Sequence, residues 1–197
     1  MTVRQKFLKA IYPVFTGYMK LFNKDSRVLS NDNNIRPVES FYDLSVKLNN
    51  GQQLQFEELK GKKVLLVNTA SDCGFTAQYD DLEKLYEQDN DKLTIIGFPA
   101  NDFRKQEKGT DEEIARFCKE NFNVTFLLAA KNSVVKGPAQ QQVFKWLTDK
   151  NKNGWNNQQP TWNFAKYLVN ENGVLTNYFA PSLSPLDETV LNAINAE

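Results

Sequence analysis

Apolar residues recur along this chain at several different spacings, and each spacing predicts a different element. Leu44, Val46 and Leu48 alternate with polar neighbours, Asn50-Gly51 marks a tight turn, and Leu54 and Phe56 follow. That is the pattern of a β-hairpin. Val64-Leu65-Leu66-Val67 is an unbroken aliphatic run, which suits a strand buried on both faces. From Ala77 the period changes, and Tyr79, Leu82, Leu85 and Tyr86 recur at helical spacing. Leu93-Thr94-Ile95-Ile96-Gly97-Phe98, closed by Pro99, reads as a second buried strand. Strand, helix, strand predicts a right-handed parallel crossover.

Further along, Thr110-Asp111-Glu112-Glu113 has the form of a capping box, a hydroxyl with a carboxylate three positions on. The helix it opens carries Ile114, Phe117 and Cys118 on one face. Residues 126–130 read as a strand, and Gly137-Pro138 as the start of a helix with Val143, Phe144 and Leu147 facing inward. Residues 101–109 and 150–159 are polar loops. Trp162-Asn163-Phe164 opens a strand through Val169, Glu171-Asn172-Gly173 turns it, and residues 174–179 return antiparallel. Ser184-Pro185-Leu186-Asp187 caps a last helix with Leu186, Val190 and Ile194 on one side. The order is hairpin, β-α-β, helix, helix, β-β, helix. It predicts one α/β domain with a central mixed sheet flanked by helices.

The N-terminus stands apart. Residues 1–24 carry Arg4, Lys6, Lys9, Lys20 and Lys24, and no acid precedes Asp25. Phe7, Leu8, Ile11, Tyr12, Val14, Phe15, Tyr18, Met19, Leu21 and Phe22 give a broad apolar face, interrupted by Pro13. A membrane span needs ~20 mostly apolar residues, and the short runs here do not supply them. No small-residue cleavage site follows that would mark a secretory signal. Three readings stay open: a basic amphipathic segment lying on a membrane surface, a helix packed on its own domain, or a loose tail. Residues 25–39 are polar and read as a linker. The predicted organisation is therefore an N-terminal extension and linker over 1–38 and a domain over 39–197.

Composition narrows the chemistry. The 197 residues suffice for one domain with a full core. Net charge is zero, which gives a nucleic-acid partner no electrostatic support. There are no histidines, which removes Ser-His and Cys-His catalysis and most zinc or haem ligation. Two cysteines are too few for a metal cluster or a disulfide scaffold, and no cofactor is implied. One thiol, or one pair, remains for redox work. Cys73 lies between a strand end and a helix start, where free N–H groups and the helix dipole favour an anion. A thiol there ionises more easily and becomes a nucleophile. Cys118, on an apolar helical stripe, reads as a small core residue.

Four blocks resemble the glutathione peroxidase family, whose fold is thioredoxin-like: SFYDL at 40–44, NTASDCGFTAQY at 68–79, IIGFPANDFRKQEKG at 95–109 and WNFAKYLV at 162–169. The resemblance runs from about residue 40 to the C-terminus. It implies that Cys73 is the peroxidatic residue and that Trp162 and Asn163 are its indole and amide partners. It gives Cys118 the role of resolving cysteine, as in members without selenium that resemble thioredoxin-dependent peroxidases. Residues 134–162 lack the insertion associated with tetrameric relatives, so a monomer is expected. The family's FPCNQF block reads Phe98-Pro99-Ala100-Asn101-Asp102-Phe103 here. Asp102 thus stands where the resemblance puts the catalytic glutamine, Ala100 replaces a cysteine, and Asp72 precedes Cys73. Carboxylates close to a thiolate oppose its ionisation. Asp102 is protonated, turned away, paired with Arg104 or Lys105, or a proton donor to the leaving oxygen.

The implied function is a thiol peroxidase for hydrogen peroxide or organic and lipid hydroperoxides, acting in the response to oxidative stress. Cys73 becomes a sulfenic acid, Cys118 resolves it, and thioredoxin or glutathione recycles the enzyme. Reaching Cys73 would require local unwinding around residues 116–122, because disulfide geometry asks for Cα atoms within ~7 Å. Cysteines that must cycle favour a reducing compartment, here the cytoplasm, with peripheral membrane contact through 1–24. One alternative is a catalytically weak thioredoxin-like sensor or binding protein, motivated by the two aspartates. Another is a monothiol glutaredoxin, which Cys73-Gly74-Phe75-Thr76 resembles, but the other three blocks do not fit that family.

Overall fold

The protein is described by a computed structural model, which covers the backbone of residues 1–21 and 27–196 and their side chains except those of 13 and 15–21. A six-stranded sheet grows outward from β4 (Lys63–Thr69). As the aliphatic run requires, β4 is buried on both faces: Leu65 and Val67 enter one core, Val64 and Leu66 the other. β5 (Leu93–Pro99) runs parallel to it, with Leu65 opposite Ile95 and Val67 opposite Gly97. Helix α2 (Gln78–Asp89) makes the crossover. β6 (Leu127–Leu128) adds a short parallel strand beyond β5. Gly97 permits that approach, because a Cβ there would lie 2.8 Å from Leu128 Cδ2.

On the other side of β4 the sheet turns antiparallel. β7 (Lys166–Val169) pairs with β4, β8 (Leu175–Phe179) with β7, and β1 (Val28–Ser30) with β8. The strand order is β1-β8-β7-β4-β5-β6. The predicted hairpin is β2 (Ser45–Lys47) and β3 (Gln53–Gln55), a separate two-stranded sheet. Gly51 turns it at φ +88°, a conformation that costs glycine nothing.

Helices cover both faces. One core gathers side chains of α2, α3 (Asp111–Phe122) and α6 (Glu188–Asn195), including Tyr79, Leu82, Ile114, Phe122 and Val190. The other lies between the sheet, the hairpin and α4 (Gln142–Leu147), with Val46, Phe56, Phe144 and Trp146. The capping box of α3 forms as predicted, with Glu113 N–H donating to Thr110 Oγ1 and Thr110 N–H to Glu113 Oε2.

Four local expectations change. Trp162-Asn163-Phe164 does not open the strand but forms a turn, and β7 starts at Lys166. Of the expected linker, residues 25 and 26 lie outside the described residues, and 27–39 do not form a plain linker: β1 is an edge strand of the main sheet, because Leu29 and its neighbours find unpaired β8 backbone to bond. Gly137-Pro138 does not open a helix. It forms a turn, and α4 begins five residues after Gly137. The Asn- and Gln-rich loop holds a one-turn helix, α5 (Lys150–Asn153), capped by Asp149.

The N-terminal segment is helical, as α1 (Val3–Leu21), and packs on the domain. The Met1 amine donates to Asn121 Oδ1 at 3.1 Å, and Lys9 Nζ pairs with Asp80 at 2.7 Å. Arg4 forms an ion pair with Asp72. Tyr12 is buried in the core. Among the described residues no helix is long and apolar enough to cross a membrane. Of the expected apolar face, Phe22 falls outside the described residues, as do the side chains of Phe15, Tyr18, Met19 and Leu21.

Candidate active site

The chain leaves β4 at Thr69 and enters α2 at Gln78. Between them, residues 70–77 make a string of tight turns. The Cys73 N–H donates to Thr76 Oγ1 at 3.0 Å, and the Thr76 hydroxyl donates on to Ala70 O at 2.9 Å. The Thr76 N–H donates to Cys73 O at 3.2 Å. These bonds fold the turn around the cysteine and bury it to 1 % exposure. The Phe75 N–H then points at Cys73 Sγ, 3.4 Å away. The expectation that α2's own N-terminus would hold the sulfur is corrected by this geometry. The helix starts five residues beyond Cys73, and the nearest amide belongs to the preceding turn.

Trp162 and Asn163 arrive from the distant end of the sequence, on a turn just before β7. Asn68 on β4 pins that turn. Its Nδ2 donates to Trp162 O at 3.0 Å, its Oδ1 accepts from Ala165 N–H at 3.0 Å, and its carbonyl accepts from Phe164 N–H at 2.6 Å. Phe164 sits in the left-handed region, at φ +69°, a cost borne only where surroundings over-determine the backbone. Lys166 Nζ helps, donating to Phe164 O at 2.8 Å. The strand that leads into Cys73 is thus the strand that holds its partners.

The structure brings Cys73, Trp162 and Asn163 together. The Asn163 amide and Trp162 indole face the thiol and, with the Phe75 N–H, favour its anion. Burial works against them and pushes the Cys73 thiol above the ordinary range, with the Asp72 charge a smaller opposing influence. Asn163 Nδ2 donates to Gln106 Oε1 at 2.9 Å, which fixes the orientation of the amide. Asn163 Oδ1 is buried with no hydrogen-bond partner. Phe103 packs its ring 5.6 Å from Trp162, and the Arg104 guanidinium lies 5.5 Å over the indole.

Gln106 is the residue that sequence reasoning missed. The resemblance points to position 102 for the catalytic amide. Asp102 instead turns away: its carboxylate accepts from Ser133 Oγ at 3.0 Å and from Val134 N–H at 2.8 Å. Arg104 and Lys105 both adopt positive φ, +50° and +53°. Two successive left-handed residues reverse the loop, so the side chain that returns to Asn163 is Gln106. The loop's lone glutamine is visible in the sequence, but no periodic pattern says which side chain of an irregular loop faces the site.

Two carboxylates lie near the turn. Asp72 is paired with Arg4 of α1. Glu107 is buried, accepts from the Ser71 hydroxyl at 2.9 Å on both oxygens, and is pushed by burial up to about 7. Cys118 lies on α3, as buried as Cys73. Burial pushes its thiol to about 12, the Tyr79 hydroxyl favours its anion, and the Glu107 charge opposes it. Both cysteines are free thiols within one core. Among the described residues, no group of side chains is arranged to hold a metal ion. A cavity of about 510 Å³ opens beside the turn, between α1, the 105–109 loop and α3, with Arg4, Asp72, Gln106, Lys108 and Phe117 in its walls.

Comparison with known proteins bears on this arrangement. The family model for glutathione peroxidase matches residues 41–148. A glutathione peroxidase homolog, BsaA, of Staphylococcus epidermidis is 44% identical over 149 residues, 75% of this chain and 93% of that one. The glutathione peroxidase-like peroxiredoxin 2 of Saccharomyces cerevisiae is 42% identical over 159 residues, 79% of this chain and 98% of its own. Among solved structures, Trgpx in apo form superposes with a TM-score of 0.61 at 32% identity, covering 81% of this chain and 97% of that one. A thioredoxin family protein from Chlorobium tepidum, a thiol:disulfide interchange protein, has a TM-score of 0.58 at 14% identity, over 82% of this chain and 97% of its own. That last likeness speaks to fold alone, which is thioredoxin-like.

Proposed function

The chain belongs to the glutathione peroxidase family, and on that premise we propose how its residues perform the reaction. The protein is a thiol peroxidase of the oxidative-stress response. Cys73 is the residue that meets peroxide. Its thiolate attacks one oxygen of ROOH, the O–O bond breaks, and the other oxygen leaves as ROH with a proton. Sulfur is oxidised to the sulfenic acid. The observation that supports this reading best is the convergence of three uncharged donors, Phe75 N–H, Asn163 and Trp162, on one buried sulfur. Fixed dipoles of this kind stabilise an anion that burial alone would forbid. The open Asn163 Oδ1 offers an acceptor for the hydroperoxide O–H.

Cys118 is the resolving thiol. It loses its proton, its thiolate attacks the sulfenic sulfur, the S–S bond forms as the S–O bond breaks, and the hydroxide leaves as water with that proton. Cys118 lies inside α3, so the last turns of that helix must open first. A dithiol protein of the thioredoxin kind then reduces the disulfide by exchange. The chain works as a monomer in a reducing compartment such as the cytoplasm. A second reading, a slow sensor, draws on the burial that holds the Cys73 thiol protonated.

Stopped-flow mixing of the reduced protein with hydrogen peroxide and with an organic hydroperoxide, with trapping of the sulfenic acid, tests the first step. The expected result is fast, second-order oxidation confined to Cys73. Oxidation no faster than that of a free thiol would favour the sensor. Turnover with thioredoxin against glutathione tests the donor, and equal rates with both would remove the preference for a dithiol.

A further inference from the structure

Helix α1 precedes the residues that match the family, and nothing in the peroxidase reaction uses it. It has two faces. At 100° per residue, Gln5, Leu8, Lys9 and Tyr12 fall on one side, and all four are at least partly buried against the domain. Val3, Phe7, Ile11 and Val14 fall within an arc of about 80° on the opposite side. They are 86%, 63%, 37% and 76% exposed. A soluble helix normally turns such a stripe inward. Among its described side chains, this one turns its stripe outward while the opposite face is at least partly buried.

The charges complement the stripe. Residues 1–24 contain five cations and no acid. Lys6 flanks the stripe on one side and is exposed; Arg4, on the other side, is also exposed but is paired with Asp72. The neighbouring cavity carries both signs, with Arg4, Lys105 and Lys108 beside Asp72, Glu107 and Glu113, so the cationic edge is that of the helix itself. An apolar stripe edged by cations fits the boundary of a lipid bilayer with anionic headgroups.

The inner face says what such docking would achieve. Arg4 is paired with Asp72, the residue before Cys73, and Gln5 Nε2 donates to Ser71 O at 3.0 Å. Lys9 is paired with Asp80 in the first turn of α2. The helix is thus fastened on both sides of the peroxidatic turn. We propose that α1 is a membrane-docking element, with its outer stripe lying in the interface of an anionic bilayer and holding the Cys73 turn against that surface. This deepens the peroxidase reading by placing the enzyme where hydroperoxides borne on lipid surfaces are presented.

The test is flotation of the full chain with vesicles of phosphatidylcholine alone or mixed with phosphatidylglycerol. It is run beside turnover on hydrogen peroxide and light scattering for oligomeric state. The variants are Phe7→Ser with Val14→Ser, and Lys6→Glu, which leaves the stripe intact. The wild-type chain should float with the anionic vesicles and do so less at high salt. The double variant should bind roughly tenfold or more weakly, Lys6→Glu should also bind more weakly, and both should keep their turnover on hydrogen peroxide. Three results would overturn the proposal: no flotation of the wild type, equal flotation of all proteins, or a wild-type dimer that the double variant splits without any flotation. The last would assign the stripe to a second copy of the chain. Turnover reports on the peroxidase reading separately, so failure of one is not failure of the other.

Discussion

Cys73 and Cys118 are buried to the same 1 % exposure in the same core, yet their surroundings differ in kind. Cys73 occupies a turn, where backbone N–H groups are not consumed by a helical ladder. One of them, from Phe75, is therefore free to aim at sulfur. Two uncharged side chains from a remote turn join it. Cys118 occupies the interior of α3, where N–H groups are spent on carbonyls four residues back. It gains only the Tyr79 hydroxyl, and the Glu107 charge disfavours its anion. Burial raises the pKa of both thiols, but only at Cys73 are donors arranged to resist it. On the proposed reaction, the contrast separates a nucleophile that is prepared in the resting fold from one that must be released from it.

The sharpest break of this contrast is Cys73→Ser. We expect peroxide turnover to fall by at least ~10³-fold, measured by steady-state assay with thioredoxin. Asn163→Ala comes next. It removes one fixed donor, and the second-order rate of Cys73 oxidation should drop by about 10²-fold, with its pH profile displaced upward. Gln106→Ala acts through Asn163, so its loss should be smaller, about tenfold, and Gln106→Glu should not restore the rate. Cys118→Ser should leave single-turnover oxidation of Cys73 untouched. Its turnover with thioredoxin should fall roughly tenfold or more, because the sulfenic acid then waits for an outside thiol. Full turnover in that variant would take the resolving role from Cys118.

The unequal legibility of the two regions has a physical cause. β4, β5, α2, α3 and the hairpin are written in period and capping, and the structure follows them closely. A buried strand must be aliphatic on both faces, and Thr110 with Glu113 announces the helix it caps. The position of Cys73 between strand and helix was legible for the same reason. Its actual donor was not, because four residues of turn separate Cys73 from α2, and turn geometry depends on Thr76 bonds that have no period. Asn68 looks like an ordinary polar residue at a strand end. Its task of pinning residues 162–165 depends on β4 and β7 being neighbours, which only the fold reveals. Gln106 was hidden by the left-handed pair Arg104 and Lys105. β1 was hidden because three residues are too few to carry an alternation.

Glu107 ties the two regions and gives a pH test. Its carboxyl is held near 7 against an ordinary 4.5, chiefly by burial. In the unfolded chain it ionises near 4.5, so between the two values the folded state holds the extra proton. Stability is then fully present below pH 4.5 and falls as pH rises toward 7, by up to about 3 kcal/mol. Glu107→Gln should remove that slope from a set of denaturant titrations across this range. It should also ease ionisation of Cys118, whose anion the Glu107 charge opposes. An unchanged slope would mean that the carboxylate is well solvated, and would loosen the link between Ser71 and the α3 side of the core.

The smallest effect should come from Asp102, although the sequence places it in the most conspicuous block. Its carboxylate bonds to Ser133 Oγ and Val134 N–H, which fastens the start of the 101–109 loop to the segment beyond β6. Asp102→Asn keeps one acceptor oxygen for Val134 and loses the charge. Removing a charge-assisted bond at an exposed site should cost about 1 kcal/mol of stability or less. If the contrast between the two thiols is governed by what touches sulfur, this change should leave the rate of Cys73 oxidation within about twofold and its pH profile in place. The same profile in Asn163→Ala should move. A tenfold change in Asp102→Asn would mean that the carboxylate reaches the sulfur after all, through a loop state other than the one in which Gln106 holds Asn163. The two variants compared side by side therefore decide whether the loop carries its chemistry at 102 or at 106.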